Sequence, residues 1–282
     1  VTFIYPCLTD SAALTPTGAA WQMPLAALQD RRLSKVARSA NTALANTALN
    51  ADLGSLQTIG GIAIVRHNLS LSATWRARVS ANADMSDALY DSGWLEGWGR
   101  IYAFGSLPWG SPNWWDGKML ESARKSYPGM LVDLIPELVV GRYLRIEIAD
   151  EANADGYVEL GRLYVGGLWS PQINASYGAS TQWNTATTSD QAIDGTEYFD
   201  RREGLRSSSF NIDHLTNAEA FGQLFEMQRT LGTDKQVLFM MDPDDSENFL
   251  RTSYLGTFKS LNPISYPSWN SFAAGFEIKE SR

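Results

Sequence analysis

One cysteine, Cys7, stands among 282 residues, so no internal disulfide can form and a cysteine-rich metal site is excluded. It lies in the apolar start Val1 to Leu8 and reads as a buried free thiol. Histidine is nearly as scarce. His67 is expected to cap the turn after a buried strand, and His214 to pack beside a helix, with no sequence partner for either that suggests a proton relay. Cations are outnumbered: 23 Lys and Arg against 31 Asp and Glu give a net charge of −8. That balance excludes the basic face a non-specific nucleic-acid binder needs. Arg31, Arg32, Lys35 and Arg38 form the only local basic patch and read as a solvated edge.

No apolar run is long enough to cross a bilayer as a helix. The start of the chain also lacks a basic region followed by an apolar core and cleavage site, so export by that route is not expected. A Gly-rich phosphate loop, an HExxH pair and a nucleophile elbow are all missing. The carboxylates Asp242, Asp244, Asp245 and Glu247 lack the glycine and distal glutamate of an EF-hand loop and read as a turn, as do Asp150, Glu151 and Asp155. No catalytic residue, cofactor site or metal site is expected, and the chain is read as a non-enzyme. Glu96 and Asp116, close to tryptophans, are the natural suspects for a glycosidase pair, with surface charge as the preferred reading.

What is present points to β structure. Ile62 to Val65 is a continuous apolar run of the kind a strand buried on both faces shows. From Ala73 to Ser80 the pattern alternates, with Ala73, Trp75, Ala77 and Val79 on one face and Thr74, Arg76 and Arg78 on the other. Tyr143 to Ala149 and Tyr157 to Val165, joined by an acidic turn, read as a hairpin, with a β-bulge near Gly161 where the apolar parity changes. Later strands are expected at Leu205–His214, Gln236–Met241, Tyr254–Leu261 and Phe272–Lys279. One good helix, about 217–231, has a Thr216/Glu219 capping box, an apolar stripe of Phe221, Leu224, Phe225 and Leu231, and Gly232 as its stop.

Residues 97–141 are the least regular part, with a short helix expected over Met119 to Lys125. This stretch and its approach hold Trp94, Trp98, Trp109, Trp114, Trp115 and Tyr127, the candidate contact residues of the chain. Aromatic faces stack on sugar rings, but Trp and Tyr also populate protein interfaces, which is the favoured of the two readings.

The mostly-β reading divides the chain into a β-sandwich over 31–171, inserted into a discontinuous domain of 1–30 plus 172–282. The stretches IAIVRHNLSLSATWRARVS and YDSGW, with GRYLRIEIAD and GYVELGRLYVGGLW, resemble the discoidin-like, or galactose-binding-like, jelly roll of tailed-phage tail and baseplate proteins. The flanking domain, with its single helix, resembles the tail-tube-like fold. The resemblance implies a structural virion protein of a phage tail, made in the host cytoplasm. It implies a distal-tail, baseplate or tail-tip position, a homo-oligomeric ring of threefold or sixfold symmetry, and docking of other tail proteins. It implies neither enzymatic activity nor a cofactor. The alternative is a carbohydrate-binding module that contacts host-surface glycans.

Overall fold

The computed structural model describes residues 1–124 and 127–282, apart from the side chains of Glu121 and Ala123. The architecture is mostly β, as expected. Two compact units are present: Val1–Ser170 with Val237–Tyr254 and Arg282, and Pro171–Gln236 with Leu255–Ser281. The expected division is 31–171 inserted into 1–30 plus 172–282; the second unit starts at Pro171. The grouping differs in where residues 1–30 fall, because strand β1 (Thr2–Tyr5) pairs with a strand of the middle region as well as with one of the tail.

The first unit contains β1, β2 (Ala13–Pro16), β3 (Ala37–Arg38), β4 (Leu49–His67), β5 (Thr74–Ser80), β6 (Ala88–Asp91), β7 (Leu95–Glu96), β8 (Met130–Ala149) and β9 (Glu159–Trp169). Two long strands organise it. The beginning of β4, Leu49–Asp52, pairs with Tyr143–Ile146 of β8, and its later part, Gly61–Val65, pairs with Met130–Leu134. Register shifts fall between Asp52 and Gln57 and between Ile59 and Gly61. Such shifts bend a strand and let it serve two packed layers. In one layer the C-terminal half of β8 carries β5, followed by β6 and β7; in the other the C-terminal half of β4 carries β9 and then β1. The apolar faces of both layers merge in one core, with Trp75, Val79, Leu144 and Ile146 alongside Ile62, Ile64, Leu163 and Val165.

Two expectations are corrected by this topology. The strands on either side of the acidic turn do not form a hairpin: β8 and β9 lie on opposite edges of β4, which separates them. No bulge occurs at Gly161 either, since β9 runs against β4 in unbroken register. The apolar parity changes because Leu160 to Gly166 are buried on both faces, which removes the alternation.

The second unit contains β10 (Ser180–Asn184), β11 (Thr188–Gln191), β12 (Glu197–Asp200), β13 (Leu205–Leu215), the later part of β15 (Ser253–Phe258), β16 (Ser265–Ser268) and β17 (Ser271–Glu280); β14 (Val237–Met240) belongs to the first unit, beside β1. Strands β10, β13, β17 and β15 pair in that order, with β16 also on β17, while β11 and β12 form a hairpin of their own. Along β17, Phe272, Ala274, Phe276 and Ile278 point into the core. Glu280 follows on the same buried face, where it accepts from Arg206 Nε at 3.1 Å, Arg206 Nη2 at 2.6 Å and the Arg206 backbone N–H at 2.9 Å. His214 is exposed: a register irregularity between Ile212 and Leu215 buries Leu215 and turns His214 outward.

The capping box forms as expected. The Thr216 N–H donates to Glu219 Oε2 at 2.9 Å and the Glu219 N–H donates to Thr216 Oγ1 at 3.3 Å. Glu219 also accepts the Gln172 N–H at 2.7 Å. The buried stripe differs from the expected one. Ala220, Leu224, Met227 and Leu231 face inward, and Phe221 and Phe225 are exposed. The first turns, Ala218–Phe225, have π geometry before α geometry begins at Glu226, and the wider turn rotates the apolar face.

At Gly61, beside one of the register shifts of β4, a Cβ would collide with Ile4 of β1. Gly61→Val is expected to lower stability by about 1–3 kcal/mol through overpacking. In urea this reads as a lower midpoint at unchanged slope. A wild-type midpoint would mean that Ile4 yields without cost.

Candidate functional site

The irregular stretch after β7 is closed at its base by the backbone. Ile101 and Tyr102 N–H groups both donate to the Gly117 carbonyl at 2.9 Å. Inside that closure, the Trp114 N–H donates to Ser111 O at 3.0 Å, the Gly117 N–H to Asn113 O at 2.8 Å, and buried Asn113 Nδ2 to Lys118 O at 2.7 Å. These bonds pair part of the loop's backbone within the loop itself.

Four aromatic rings crown it. Trp114, half-buried, lies 4.7 Å from Trp109, 4.6 Å from Trp115 and 5.4 Å from Phe104 between ring centroids. Trp109 and Trp115 are 6.5 Å apart and inclined at 62°. Edge-to-face contacts of this kind hold rings against one another without hiding their outer faces. Trp109 remains 80% exposed, Trp115 73% and Phe104 70%. Phe104 was not among the expected contact residues. Its signal in the sequence is weak, an aromatic five residues before Trp109.

The other expected residues fall elsewhere. Trp94 is 46% exposed, and no ring contact joins it to the cluster. Tyr127 is half-buried. Trp98 is a buried anchor and is corrected as a contact residue. Its Nε1 donates to Leu69 O at 2.9 Å, its ring meets His67 edge-on at 5.0 Å, and the Arg124 guanidinium lies 4.8 Å above it. The short helix expected over Met119–Lys125 is present as Glu121–Arg124, and Lys125 lies outside the described residues.

Charged groups beside the platform have partners of their own. Lys118 Nζ pairs with Glu96 at 3.1 Å and donates to Leu71 O at 2.8 Å. Asp116 Oδ1 accepts the Lys118 N–H at 3.0 Å, closing the turn. The acidic turn after β8 is also internally satisfied: buried Asp150 accepts from the Ser70 N–H at 3.0 Å, the Ser70 hydroxyl and Asn153 Nδ2 at 2.9 Å. The Asp242–Glu247 segment forms a turn in which Asp245 accepts from Asn248. Among the described residues, no group of three or more His, Cys, Asp or Glu side chains could hold a metal ion. Cys7 lies against Arg162, and burial pushes its thiol up to about 11, as suits an inert packing residue.

No family model and no curated protein matches the sequence. Solved structures similar to it include a family 89 glycoside hydrolase from Clostridium perfringens, at 14% identity and a TM-score of 0.39 over 61% of this chain. The chain spans 17% of that hydrolase's length. A second is CBM32-1 from a family 31 glycoside hydrolase of C. perfringens, at 11% identity and a TM-score of 0.38, covering 58% of this chain and 99% of that one. A third is the family 32 CBM from C. perfringens NanJ in complex with galactose, at 12% identity and a TM-score of 0.36, covering 60% of this chain and 100% of that one.

His67 gives the anchor under Trp98 a pH dependence. Its Nδ1 accepts the Leu69 N–H at 3.3 Å, which places the proton of the neutral ring on Nε2. The residue keeps some exposed surface, but Nε2 is shut off from water and has no partner. Desolvation, with the Arg124 charge added, pushes its pKa down to about 3. The folded pKa is below the unfolded one, so the unfolded state binds more protons between them. The contribution to stability is therefore lost as pH falls from about 6.5 toward 3. Melting curves of wild type and His67→Gln across that window are expected to converge as the pH falls. A constant difference would show that His67 does not titrate differently on folding.

Proposed function

We propose that this chain is a non-enzymatic binding protein whose Trp109–Trp114–Trp115 platform, with Phe104, engages a carbohydrate. One observation carries this reading: indoles sit on a loop closed at its base by its own backbone bonds, held edge-to-face while their outer faces stay open. The C–H face of a pyranose supplies apolar surface of matching size, and polar groups at the rim can bond its hydroxyls. Inclined rings suit one sugar per indole better than a flat chain laid across a coplanar strip. Fluorescence titration on a panel of cell-surface oligosaccharides is expected to quench the exposed tryptophans. Trp109→Ala and Trp115→Ala should each weaken binding by about 1–3 kcal/mol without a loss of thermal stability. A panel without any response would sink the reading.

A second reading, a ring-forming structural component of a phage tail with other tail proteins as neighbours, is favoured by the second unit. Tyr177, Ile193, Tyr198, Tyr266 and Trp269 are all largely exposed there. Every residue of the β11–β12 strands is solvent-facing, although a two-stranded hairpin alone is marginal in water. Strand β10 pairs only with β13 among the described residues, and no charge occurs from Pro171 to Ser189 to protect such an edge. This reading expects a threefold or sixfold mass by light scattering and the protein in purified virions. A monomer absent from particles would refute it. The two readings are compatible, since a particle-borne module can contact host glycans.

A further inference from the structure

We propose that the sugar taken by the aromatic platform carries a carboxylate, and that Arg100 is the residue that pairs with it. This rests on the reading of the platform as a carbohydrate site. Arg100 is exposed, and its Nη2 donates to the Trp115 carbonyl at 3.1 Å. Its aliphatic stem lies over Gly117, where an added Cβ would come within 2.9 Å of Arg100 Cγ and 2.6 Å of the Tyr102 carbonyl oxygen. Gly117 also has φ of +60°, a conformation that favours glycine. A seat formed by a missing side chain and a backbone acceptor thus holds this guanidinium at the backbone of Trp115, the residue that carries one of the exposed indoles.

Charge accounting separates Arg100 from the other cations near the loop. Lys118 is neutralised by Glu96. Arg124 lies over the buried ring of Trp98. Arg76, Arg78, Arg142 and Arg145 in the same unit all pair with carboxylates. Among the described residues no carboxylate lies within ion-pair distance of Arg100. An exposed, seated guanidinium without an acid, in a chain with eight excess negative charges, is the exception in its neighbourhood.

A guanidinium offers parallel N–H donors that match the two oxygens of a carboxylate, a fit that hydroxyls reproduce only in part. One Arg100 nitrogen is engaged with a neutral carbonyl, and the remaining donors are available to such a group. Asp116 contributes an opposing charge, but its Oδ1 is engaged with the backbone of Lys118. Selection for the acid therefore comes from directed pairing and not from a net positive field. Uronic and sialic acids share the two features required, an apolar ring face and a carboxylate.

The test uses the full chain with 3′-sialyllactose, a glucuronate-containing tetrasaccharide, and the carboxyl-reduced form of each, read by tryptophan fluorescence at two salt concentrations. Wild type is expected to bind at least one acid form about tenfold more tightly than its reduced form, with the preference shrinking at high salt. Which acid binds distinguishes sialic from uronic recognition. Arg100→Ala should bring the acid form down to the affinity of the reduced one while Trp115→Ala weakens both, and Arg100→Lys should restore part of the preference. Equal wild-type affinity for acid and reduced forms, or a preference that survives Arg100→Ala, would overturn the proposal and leave the platform reading intact. Failure to bind any member of the wider panel would remove both.

Discussion

The first unit depends on two strands that each belong to two layers. β4 and β8 are 19 and 20 residues long, far beyond what a flat strand in a small sandwich can use. Their length is useful only because both bend where their register shifts. At Gly61, next to one of those shifts, the space a Cβ would take belongs to Ile4, so the N-terminal strand packs directly on β4 there. With β4 and β8 bent, every remaining strand of that unit has an edge to pair with, and one core fills the gap between the layers. Proteins pack such interiors at crystal-like density, which leaves little tolerance at the corner.

That frame accounts for how a long irregular loop can hold exposed rings in place. Trp98 closes the apolar body below the loop with its N–H bonded to Leu69 O, and Lys118 reaches Leu71 O from the other end. Both ties land on the segment between β4 and β5. The loop is clamped where it leaves and where it returns, and the rings between are fixed by one another. Burial of Trp98 and exposure of Trp109 and Trp115 are two halves of one arrangement, an anchor and a presented surface.

Local patterning made much of this legible. The alternation in β5 and β17, the doubly buried run in β4 and the capping box at Thr216 follow from side-chain period and turn chemistry. Properties set at a distance were not legible. A hairpin across the acidic turn was the natural inference from adjacency, but β4 lies between the two strands, and pairing order leaves no local trace. His214 and the Phe221/Phe225 face were misplaced because a strand irregularity and a π turn each rotate the period by a fraction that composition does not reveal. Among the aromatics, sequence could name the stretch but not sort anchor from platform. Trp98 and Trp109 differ only in whether a carbonyl and a histidine lie within reach.

The treatment of charge bears on the proposed contact surface. Arg206 and Glu280 are taken out of water together and hydrogen-bonded to each other, the arrangement under which a buried pair is tolerated. Asp150 is buried with three donors around it. Even exposed cations such as Arg32 and Lys259 have an acid at hand. Against that habit, apolar rings left open beside a seated but unpaired guanidinium are costly features for a surface that faces only water. Exposed indoles invite non-specific contact, and an ordered arginine gives up side-chain entropy. A surface that combines the two is what the proposed ligand, with one apolar face and one anionic group, requires.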